Sequence, residues 1–309
     1  MKPSVLDLFA GCGGLSYGFQ KAGCSIEGFV ESWKPAITTF LHNHPKALHL
    51  GSDITKVSDA ALLTWKGKVD IIVGGPPCQG FSMCGKRDPH DKRNQLYKEF
   101  IRCVAFINPK VVVMENVAGM LSMEDKDGEK ILLKIIDDLI QMDYFVSYRK
   151  LNAAEFGIPQ NRERIFIIAV KLSLFPIPTF EKKTTMEAIQ DLPEHEHWIN
   201  GHILFDTTPE TLEKIKKLKS GEKLYSTFNF GRQRLRPDKP SRTVPTNPIF
   251  IHPEYDRFLT PREMARLQSF PDDFTFCGTK TDMATMIGNA VPPRLSQKIA
   301  STICESGIL

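Results

Sequence analysis

The stretch SVLDLFAGCGGLSYGFQKAG, residues 4–23, joins an apolar run to an amphipathic run through a glycine-rich turn. Residues 4–9 predict a buried strand, and residues 15–23 predict a helix that Gly23 ends. A strand that passes through a tight turn into a helix is the opening unit of a βαβ arrangement. The glycines of the turn allow the backbone to approach a ligand closely.

Strand-like and helix-like runs alternate through the following residues. Further strands are predicted at 25–31, 69–75 and 110–116, and helices at 94–107 and 129–142. Two later strands are read in YFVSYRKL and RIFIIAV. This order predicts an α/β fold with a doubly wound, mostly parallel sheet and helices on both faces.

The alternation ends after residue 170. Residues 171–255 are irregular and rich in proline, whereas TPREMARLQSF (260–270) again predicts a helix, with Thr260 and Glu263 forming a capping box. Thr184 and Glu187 have the same capping-box spacing. We therefore expect a catalytic and cofactor-binding domain at 1–170 and a smaller irregular domain at 171–255. Residues 256–309 are expected to form a hinge and a C-terminal helix that returns to the first domain.

The composition favours a protein with a packed core and no membrane span. Hydrophobic residues make up 41% of the 309 residues and charged residues 25%. No run approaches the roughly 18 consecutive apolar residues that a transmembrane helix needs. The N-terminus has no apolar signal-peptide segment, so export is not expected. The net charge of +4 permits nucleic acid binding without demanding it.

The seven cysteines disfavour both a disulfide framework and a zinc site. Their number is odd, and no two of them stand in a CxxC pair. A reducing cytosol is the simplest setting for such a chain. His195 and His197 form an HxH pair that no nearby cysteine completes to a metal site, so we read a solvated loop there and expect no metal.

Candidate ligand-binding residues follow the predicted strands, because doubly wound sheets bind ligands beyond the carboxyl ends of their strands. Gly11 and Gly13 follow the first strand, but Ser16 stands where the dinucleotide fingerprint GxGxxG needs its third glycine, which disfavours a dehydrogenase. Glu31 ends the second strand, where a carboxylate can accept hydrogen bonds from ribose hydroxyls. Asp53 follows the third strand and is placed to contact an adenine.

A second group of polar residues follows the next two strands. GGPPCQGFS (74–82) and MENV (114–117) both come directly after apolar runs, so neighbouring strands would bring Cys78 and Glu115 into one pocket. A lone cysteine is most often a small buried hydrophobic residue. The diproline before Cys78 stiffens the chain at the mouth of the sheet, which favours a reactive thiol instead.

The stretch QNRERIF adds two cations. Arg162 and Arg164 are two residues apart at the start of a predicted strand, so both are expected on one face. In a pocket they would supply fixed positive charge and hydrogen bonds. The alternative is a surface ion pair with Glu155 or Glu163.

These motifs, in this order, resemble those of the DNA (cytosine-5)-methyltransferases of bacterial restriction-modification systems. DLFAGCGGL resembles the S-adenosylmethionine motif, GGPPCQGFS the nucleophile motif, ENV the glutamate motif and QNRERIF the arginine motif. LTPREMARLQSFPDDF and IGNAVPP resemble the last two motifs, so the agreement extends over nearly the whole chain. Residues 171–255 correspond to the family's target-recognition domain.

The resemblance implies methyl transfer from S-adenosyl-L-methionine to carbon 5 of a flipped-out cytosine in a specific short sequence of double-stranded DNA. Cys78 would add to carbon 6, Glu115 would hold and protonate N3, and Arg164 would contact O2 with Arg162 supporting the pocket. The implied cofactor contacts are Phe9, Gly11, Cys12, Gly13, Gly14, Leu15, Glu31, Ser32, Asp53, Ile54, Pro77, Leu96, Asn289 and Ala290.

DNA contacts are implied in two regions. The loop from Gln79 to Arg93 would close over DNA, with Ser82 and Cys84 filling the space that the flipped base leaves. In the recognition domain, RTVPT resembles the Thr-Leu/Val pair of the family, which makes Thr243 a candidate DNA contact. A basic cluster suited to DNA, or to a solvated loop, is formed by Arg232, Arg234, Arg236 and Arg242.

Two other functions stay open. A tRNA cytosine-5 methyltransferase of the same superfamily usually carries Cys-Phe-Thr, whereas this chain has Phe276-Cys277-Gly278. A non-catalytic DNA-binding methylase partner should have lost Cys78, Glu115 or the Gly11 turn. Methyl transfer from labelled S-adenosylmethionine into duplex DNA or tRNA would separate these functions. We expect a cytoplasmic monomer, nucleoid-associated in a bacterium, that binds neither a metal nor a membrane.

Overall fold

The computed structural model describes residues 2–77, 96–125, 127–171, 182–225 and 232–309. The chain forms two compact units, each built from separate segments. The first unit comprises Met1–Leu151, Glu163–Pro178 and Ser296–Leu309, and the second comprises Asn152–Arg162 and Thr179–Leu295.

The first unit is built on a sheet in which the described residues form seven strands in the order β3-β2-β1-β4-β5-β7-β6. Strands β1 to β5 pair in parallel, and β7 runs antiparallel to β5. The predicted α/β fold with a mostly parallel sheet is therefore confirmed. The strands are β1 (Ser4–Leu8), β2 (Ser25–Val30), β3 (Leu48–Gly51), β4 (Ile71–Gly74), β5 (Val111–Val117), β6 (Phe145–Asn152) and β7 (Glu163–Val170).

Apolar residues in the central strands and in the helices beside them form the core of this unit. Ile71–Val73 on β4 and Val111–Val113 on β5 are fully buried, as expected for parallel strands covered on both faces. Phe100 and Ile135, from two of the helices, are also fully buried. Each such side chain contributes about 1.5–3 kcal/mol. The helices are α1 (Gly14–Lys21), α2 (Lys34–Asn43), α3 (Asp59–Leu63), α4 (Leu96–Ile107) and α5 (Ile131–Gln141).

The second unit consists mainly of short helices and loops. It holds the two-stranded sheet of β8 (Gln233–Arg234) and β9 (Phe250–Ile251), and α10 (Pro293–Glu305) begins in it and continues into the first unit. Its other helices are α6 (Thr185–Ile189), α7 (Pro209–Lys216), α8 (Pro261–Leu267) and α9 (Lys280–Asn289). The capping boxes predicted for α6 and α8 are both present.

Buried charged side chains hold the loops of this unit. The Arg257 guanidinium binds both carboxylate oxygens of the fully buried Glu263. Arg262, also fully buried, donates to the carbonyls of Asn200, Pro271 and Phe274. The Arg262 bonds satisfy backbone carbonyls that lie outside the strands and helices. Among the described residues, no helix is long and apolar enough to cross a bilayer.

Gly74 provides a test of how closely the central strands approach. A Cβ at Gly74 would lie 2.0 Å from the carbonyl oxygen of Leu8, so Gly74→Ala has to push β1 and β4 apart. We expect it to lower the free energy of unfolding by about 3 kcal/mol or more. Gly51 ends β3, where the nearest atom to an added Cβ is 3.5 Å away, so Gly51→Ala is the matched control.

Urea unfolding followed by circular dichroism compares the two variants. Gly51→Ala should stay within about 1 kcal/mol of the parent. Equal unfolding midpoints for Gly74→Ala and Gly51→Ala would show that the strands can separate without cost.

Candidate active site

The carboxyl ends of four parallel strands meet at one edge of the sheet. Leu8 at the end of β1 is in register with Val30 on β2 and Gly74 on β4, and Gly74 is in register with Met114 on β5. The residues that follow these positions therefore share the same edge, where ligands bind in doubly wound sheets.

A strained turn follows β1. Phe9, Gly11 and Gly13 have φ values of 62°, 55° and 90°, in the left-handed region. At Gly13 an added Cβ would come within 2.9 Å of the Phe40 ring, so the position requires glycine for space as well as for conformation. The turn leads directly into α1, whose first N–H groups lack intrahelical acceptors.

Glu31 ties this turn to the end of β2. Its Oε2 accepts the Gly11 N–H at 2.8 Å, and its Oε1 accepts the N–H groups of Ser32 and Trp33, both at 2.8 Å. A carboxylate offers about four acceptor positions, so Glu31 keeps room for about one further donor. The side chain predicted to bind a ribose therefore also shapes the turn beside it.

Ser16 and Asp7 form a buried pair beneath the turn. The Ser16 hydroxyl donates to Asp7 Oδ2 at 2.6 Å, which gives the serine that interrupts the GxGxxG pattern a structural role. Burial raises the pKa of Asp7 to about 7, and the nearby charge of Glu31 also raises it. Asp7 is 1% exposed.

Asp53 caps a short turn after β3. Its Oδ1 accepts from the Thr55 N–H at 3.0 Å and the Thr55 hydroxyl at 2.7 Å, and these bonds lower the pKa of Asp53. The carboxylate is exposed, whereas the adjacent Ile54 is buried. Asp53 is thus fixed in orientation and still open to solvent.

Glu115 and Arg164 form an ion pair at the end of β5. Arg164 Nε lies 2.9 Å from Glu115 Oε1, and the side chains are only 14% and 12% exposed. Arg164 stands opposite Val117 in the antiparallel pairing of β7 with β5. The pair is a fixed arrangement of a cation and a carboxylate at the sheet edge.

The same strand end anchors the chain that leads to Cys78. Glu115 Oε2 lies 2.9 Å from the position that a Cβ of Gly75 would take, and the Asn116 side-chain amide donates to the Pro76 carbonyl at 3.0 Å. Sequence reasoning missed Asn116, although it lies within the quoted ENV motif. Five predicted residues lie outside the described residues: Cys78, Gln79, Ser82, Cys84 and Arg93.

Arg162 behaves differently from Arg164. It precedes β7, belongs to the second unit and is 1% exposed, so only Arg164 of the two lies within the strand. Arg162 Nη2 donates to the Gly288 carbonyl at 3.0 Å. Its role in the described structure is to join the QNR and GNA motifs.

The RTVPT segment is held by those two motifs. Gln160 Oε1 accepts the Val244 N–H at 2.8 Å, and the Thr243 hydroxyl donates to the Asn161 carbonyl at 2.8 Å. A Cβ at Gly288 would lie 2.5 Å from the Pro245 carbonyl, so α9 touches this backbone directly. Sequence reasoning missed Gln160 and Gly288. Their positions in the same motifs as Arg162 and Asn289 could have identified them.

The basic cluster divides into buried and exposed members. The Arg234 guanidinium is buried and donates to the carbonyls of Ile215, His252 and Tyr255 and to the Asp256 carboxylate. The prediction that Arg234 contacts DNA was wrong, because its guanidinium is buried and already donates to these acceptors. Arg232 lies over the Phe258 ring at 4.9 Å and is partly exposed. Arg236, Arg242 and Thr243 are exposed.

The remaining cofactor candidates are placed as follows. Leu96 begins α4, Ser32 is exposed, Pro77 is partly exposed, and Asn289 and Ala290 lie at the end of α9. Cys12, Gly14 and Leu15 are buried in and after the glycine turn.

Burial raises the pKa of Cys12 and of Cys103 to about 12, so neither is suited to act as a thiolate. The described residues contain no group of three or more possible metal ligands.

Asp7 predicts a specific pH dependence. Between about pH 4 and pH 7 the folded protein keeps the Asp7 proton while the unfolded chain releases it, so the free energy of unfolding should fall as pH rises through this range. The loss should reach a few kcal/mol and level off above pH 7. Asp7→Asn removes the titrating group at constant size and should flatten this decline.

Urea unfolding at several pH values measures the effect. Asp127→Asn, at an exposed carboxylate, is the control and should keep the parent profile. An undiminished decline in Asp7→Asn would assign the pH dependence to other groups.

Comparison with known proteins agrees with this arrangement. Residues 4–305 match the family model described as C-5 cytosine-specific DNA methylase. The chain is 39% identical to the type II methyltransferase M1.HphI of Haemophilus parahaemolyticus, covering 99% of this chain and 87% of that protein. It is 34% identical to M.DdeI of Desulfomicrobium norvegicum, covering 97% and 88%.

A solved structure supports the same conclusion. A DNA modification methyltransferase encoded within an E. coli prophage superimposes with a TM-score of 0.85 at 29% identity, covering 98% of this chain and 99% of that one. The strand-end motifs, the sheet topology and these matches together place the chain in the family of C-5 cytosine-specific DNA methylases.

Proposed function

We propose that this enzyme transfers a methyl group from S-adenosyl-L-methionine to carbon 5 of a flipped-out cytosine in a specific short sequence of duplex DNA, through a covalent bond between Cys78 and carbon 6. The observation that supports it most is the Glu115–Arg164 ion pair beside the backbone that leads to Cys78. Activation of a cytosine ring needs a carboxylate and a cation, and this pair lies beside the described backbone at Gly75, three residues before Cys78 in the sequence.

The chemistry follows from the low nucleophilicity of carbon 5. Addition of the Cys78 thiolate to carbon 6 turns the ring into an enamine whose carbon 5 can attack an electrophilic methyl group. Glu115 holds and protonates N3, while Arg164 contacts O2 and neutralises the charge that develops. A base then removes the carbon 5 proton, the double bond re-forms and Cys78 leaves.

The first unit offers residues that fit the methyl donor. A Cβ at Gly11 would have no neighbouring atom within 4 Å, so the turn is open at this position, and Glu31 keeps an acceptor position for a ribose hydroxyl. The exposed Asp53 carboxylate fits an adenine amino group. S-adenosyl-L-methionine bound there would supply the electrophilic methyl group.

The substrate in this proposal is duplex DNA. The relatives are named type II methyltransferases, which favours a role in restriction-modification. A cytosine inside a duplex has to leave the stack to reach such a site. We assign catalysis and cofactor binding to residues 1–170 and target recognition to residues 171–255, where Arg242 and Thr243 are exposed. Residues 256–309 are assigned to a hinge and a helix that returns to the first domain. We further propose that the enzyme works as a cytoplasmic monomer.

Glu31→Gln tests the cofactor site. The amide nitrogen cannot accept a hydrogen bond, so either the Gly11 N–H or the Ser32 and Trp33 N–H groups lose their acceptor. Binding of S-adenosyl-L-methionine should weaken by about 1–3 kcal/mol, measured by calorimetry. Glu27→Gln, an exposed position on the same strand, is the control and should bind as the parent does. Equal affinities in all three proteins would remove Glu31 from the site.

Trapping with fluorinated DNA tests the mechanism. Fluorine at carbon 5 cannot leave as a cation, so duplex DNA with 5-fluorocytosine at the target should accept the methyl group and then retain the enzyme covalently. The complex should survive denaturing electrophoresis, require S-adenosyl-L-methionine and map to Cys78. Cys78→Ser should abolish it, because a serine hydroxyl stays protonated near neutral pH and is a far weaker nucleophile than a thiolate.

Two controls sharpen this experiment. Cys277→Ser, at a partly exposed thiol, should trap normally. A tRNA substrate tested in parallel should not be methylated. A complex that persists in Cys78→Ser or maps to Cys84 contradicts the proposed nucleophile, and methylation of tRNA alone contradicts the proposed substrate.

A further inference from the structure

Two thiols far apart in the sequence are in contact within the first unit. The Sγ atoms of Cys24 and Cys304 lie 3.7 Å apart, although 280 residues separate them along the chain. Cys24 is buried in the turn between α1 and β2, and Cys304 is partly exposed in the last turn of α10. The methyl transfer proposed above uses neither thiol.

Two contacts fix this geometry. Near the start of α10, the Ser296 hydroxyl donates to the carbonyl of Gly14, the first residue of α1, at 3.2 Å. Near the ends of the two helices, Cys304 meets Cys24. The helices α1 and α10 therefore lie side by side and run in the same direction, with Phe19 and Ile303 fully buried. Sulfur atoms held this way need to approach by less than about 2 Å to reach bonding distance.

The two thiols also differ in acidity in a way that favours reaction. The hydrogen bond between the two thiols lowers the pKa of the partly exposed Cys304, whereas this bond and burial raise the pKa of Cys24. The partly exposed sulfur is thus the one that ionises first. A thiolate is the form that attacks an oxidant.

We propose that Cys24 and Cys304 form a reversible disulfide when the protein meets a peroxide. The Cys304 thiolate attacks one peroxide oxygen, the O–O bond breaks, and a sulfenic acid and hydroxide form. The hydroxide takes the proton of Cys24. The Cys24 thiolate then attacks the sulfenic sulfur and releases the second hydroxide, which is protonated to water. In total two thiols are oxidised to one disulfide and one peroxide is reduced to two waters.

The disulfide would link α10 covalently to the part of the first unit that contains the proposed cofactor residues. It would close a loop of nearly the whole chain and hold α10 along α1, the helix that follows the Gly11–Gly13 turn. A dithiol reductant would reverse it by exchange.

Peptide mapping tests this directly. The protein is treated with hydrogen peroxide, its remaining thiols are alkylated, and it is digested with trypsin without reduction. Residues 22–46 contain Cys24 as their single cysteine, and residues 299–309 contain Cys304 as theirs. These two peptides should appear linked, and dithiothreitol should separate them. On a non-reducing gel the oxidised protein should migrate faster than the reduced protein, because the closed loop keeps the denatured chain compact.

Variants separate this disulfide from oxidation elsewhere. Cys304→Ser and Cys24→Ser should each lose the fast-migrating form, whereas Cys277→Ser should keep it. The mapping on the unmodified chain stands even if Cys24→Ser does not fold. The proposal is overturned if peroxide oxidises other cysteines without linking these two peptides, or if the fast-migrating form persists in Cys304→Ser.

Discussion

The parallel hydrogen bonding of β1, β2, β4 and β5 is the constraint on which the rest of the structure depends. These strands come from separate stretches of the first 117 residues, and their register brings Leu8, Val30, Gly74 and Met114 level with one another. The Gly11 turn, Glu31 and Glu115 are placed at this edge because they closely follow Leu8, Val30 and Met114. The close approach of Gly74 to the Leu8 carbonyl shows how little freedom this register has.

Much of this arrangement could be predicted because it depends on local pattern. Continuous apolar runs identified the buried strands, and the rule that ligands bind beyond the carboxyl ends of strands placed Glu31 and Glu115 at one edge. The capping boxes at Thr184 and Thr260 were equally predictable, since both partners lie within four residues of each other. Motif order then connected these local features to the family, which the comparisons support.

What the sequence could not reveal depends on partners distant along the chain. Arg234 lies in a basic stretch that suggests DNA, yet acceptors from residues 215 to 256 surround it inside the fold. Arg162 and Arg164 are two residues apart, but the boundary between the compact units falls between them. The three backbone bonds of Glu31 were likewise invisible, because a strand-end carboxylate looks the same whether it binds a ligand or the adjacent turn.

The contact between Gly288 and the Pro245–Thr246 peptide also limits how this protein can change over generations. The backbone there touches α9 with no side chain between them, and Gln160 holds the neighbouring Val244 N–H. The main chain of this segment cannot shift without disturbing the helix and the QNR motif together. The side chains of Arg242 and Thr243 are exposed, although the Thr243 hydroxyl donates to the Asn161 carbonyl. Descendants of this protein can therefore diverge here by exchanging surface side chains on an inherited backbone, and a deletion or insertion within the segment would be selected against.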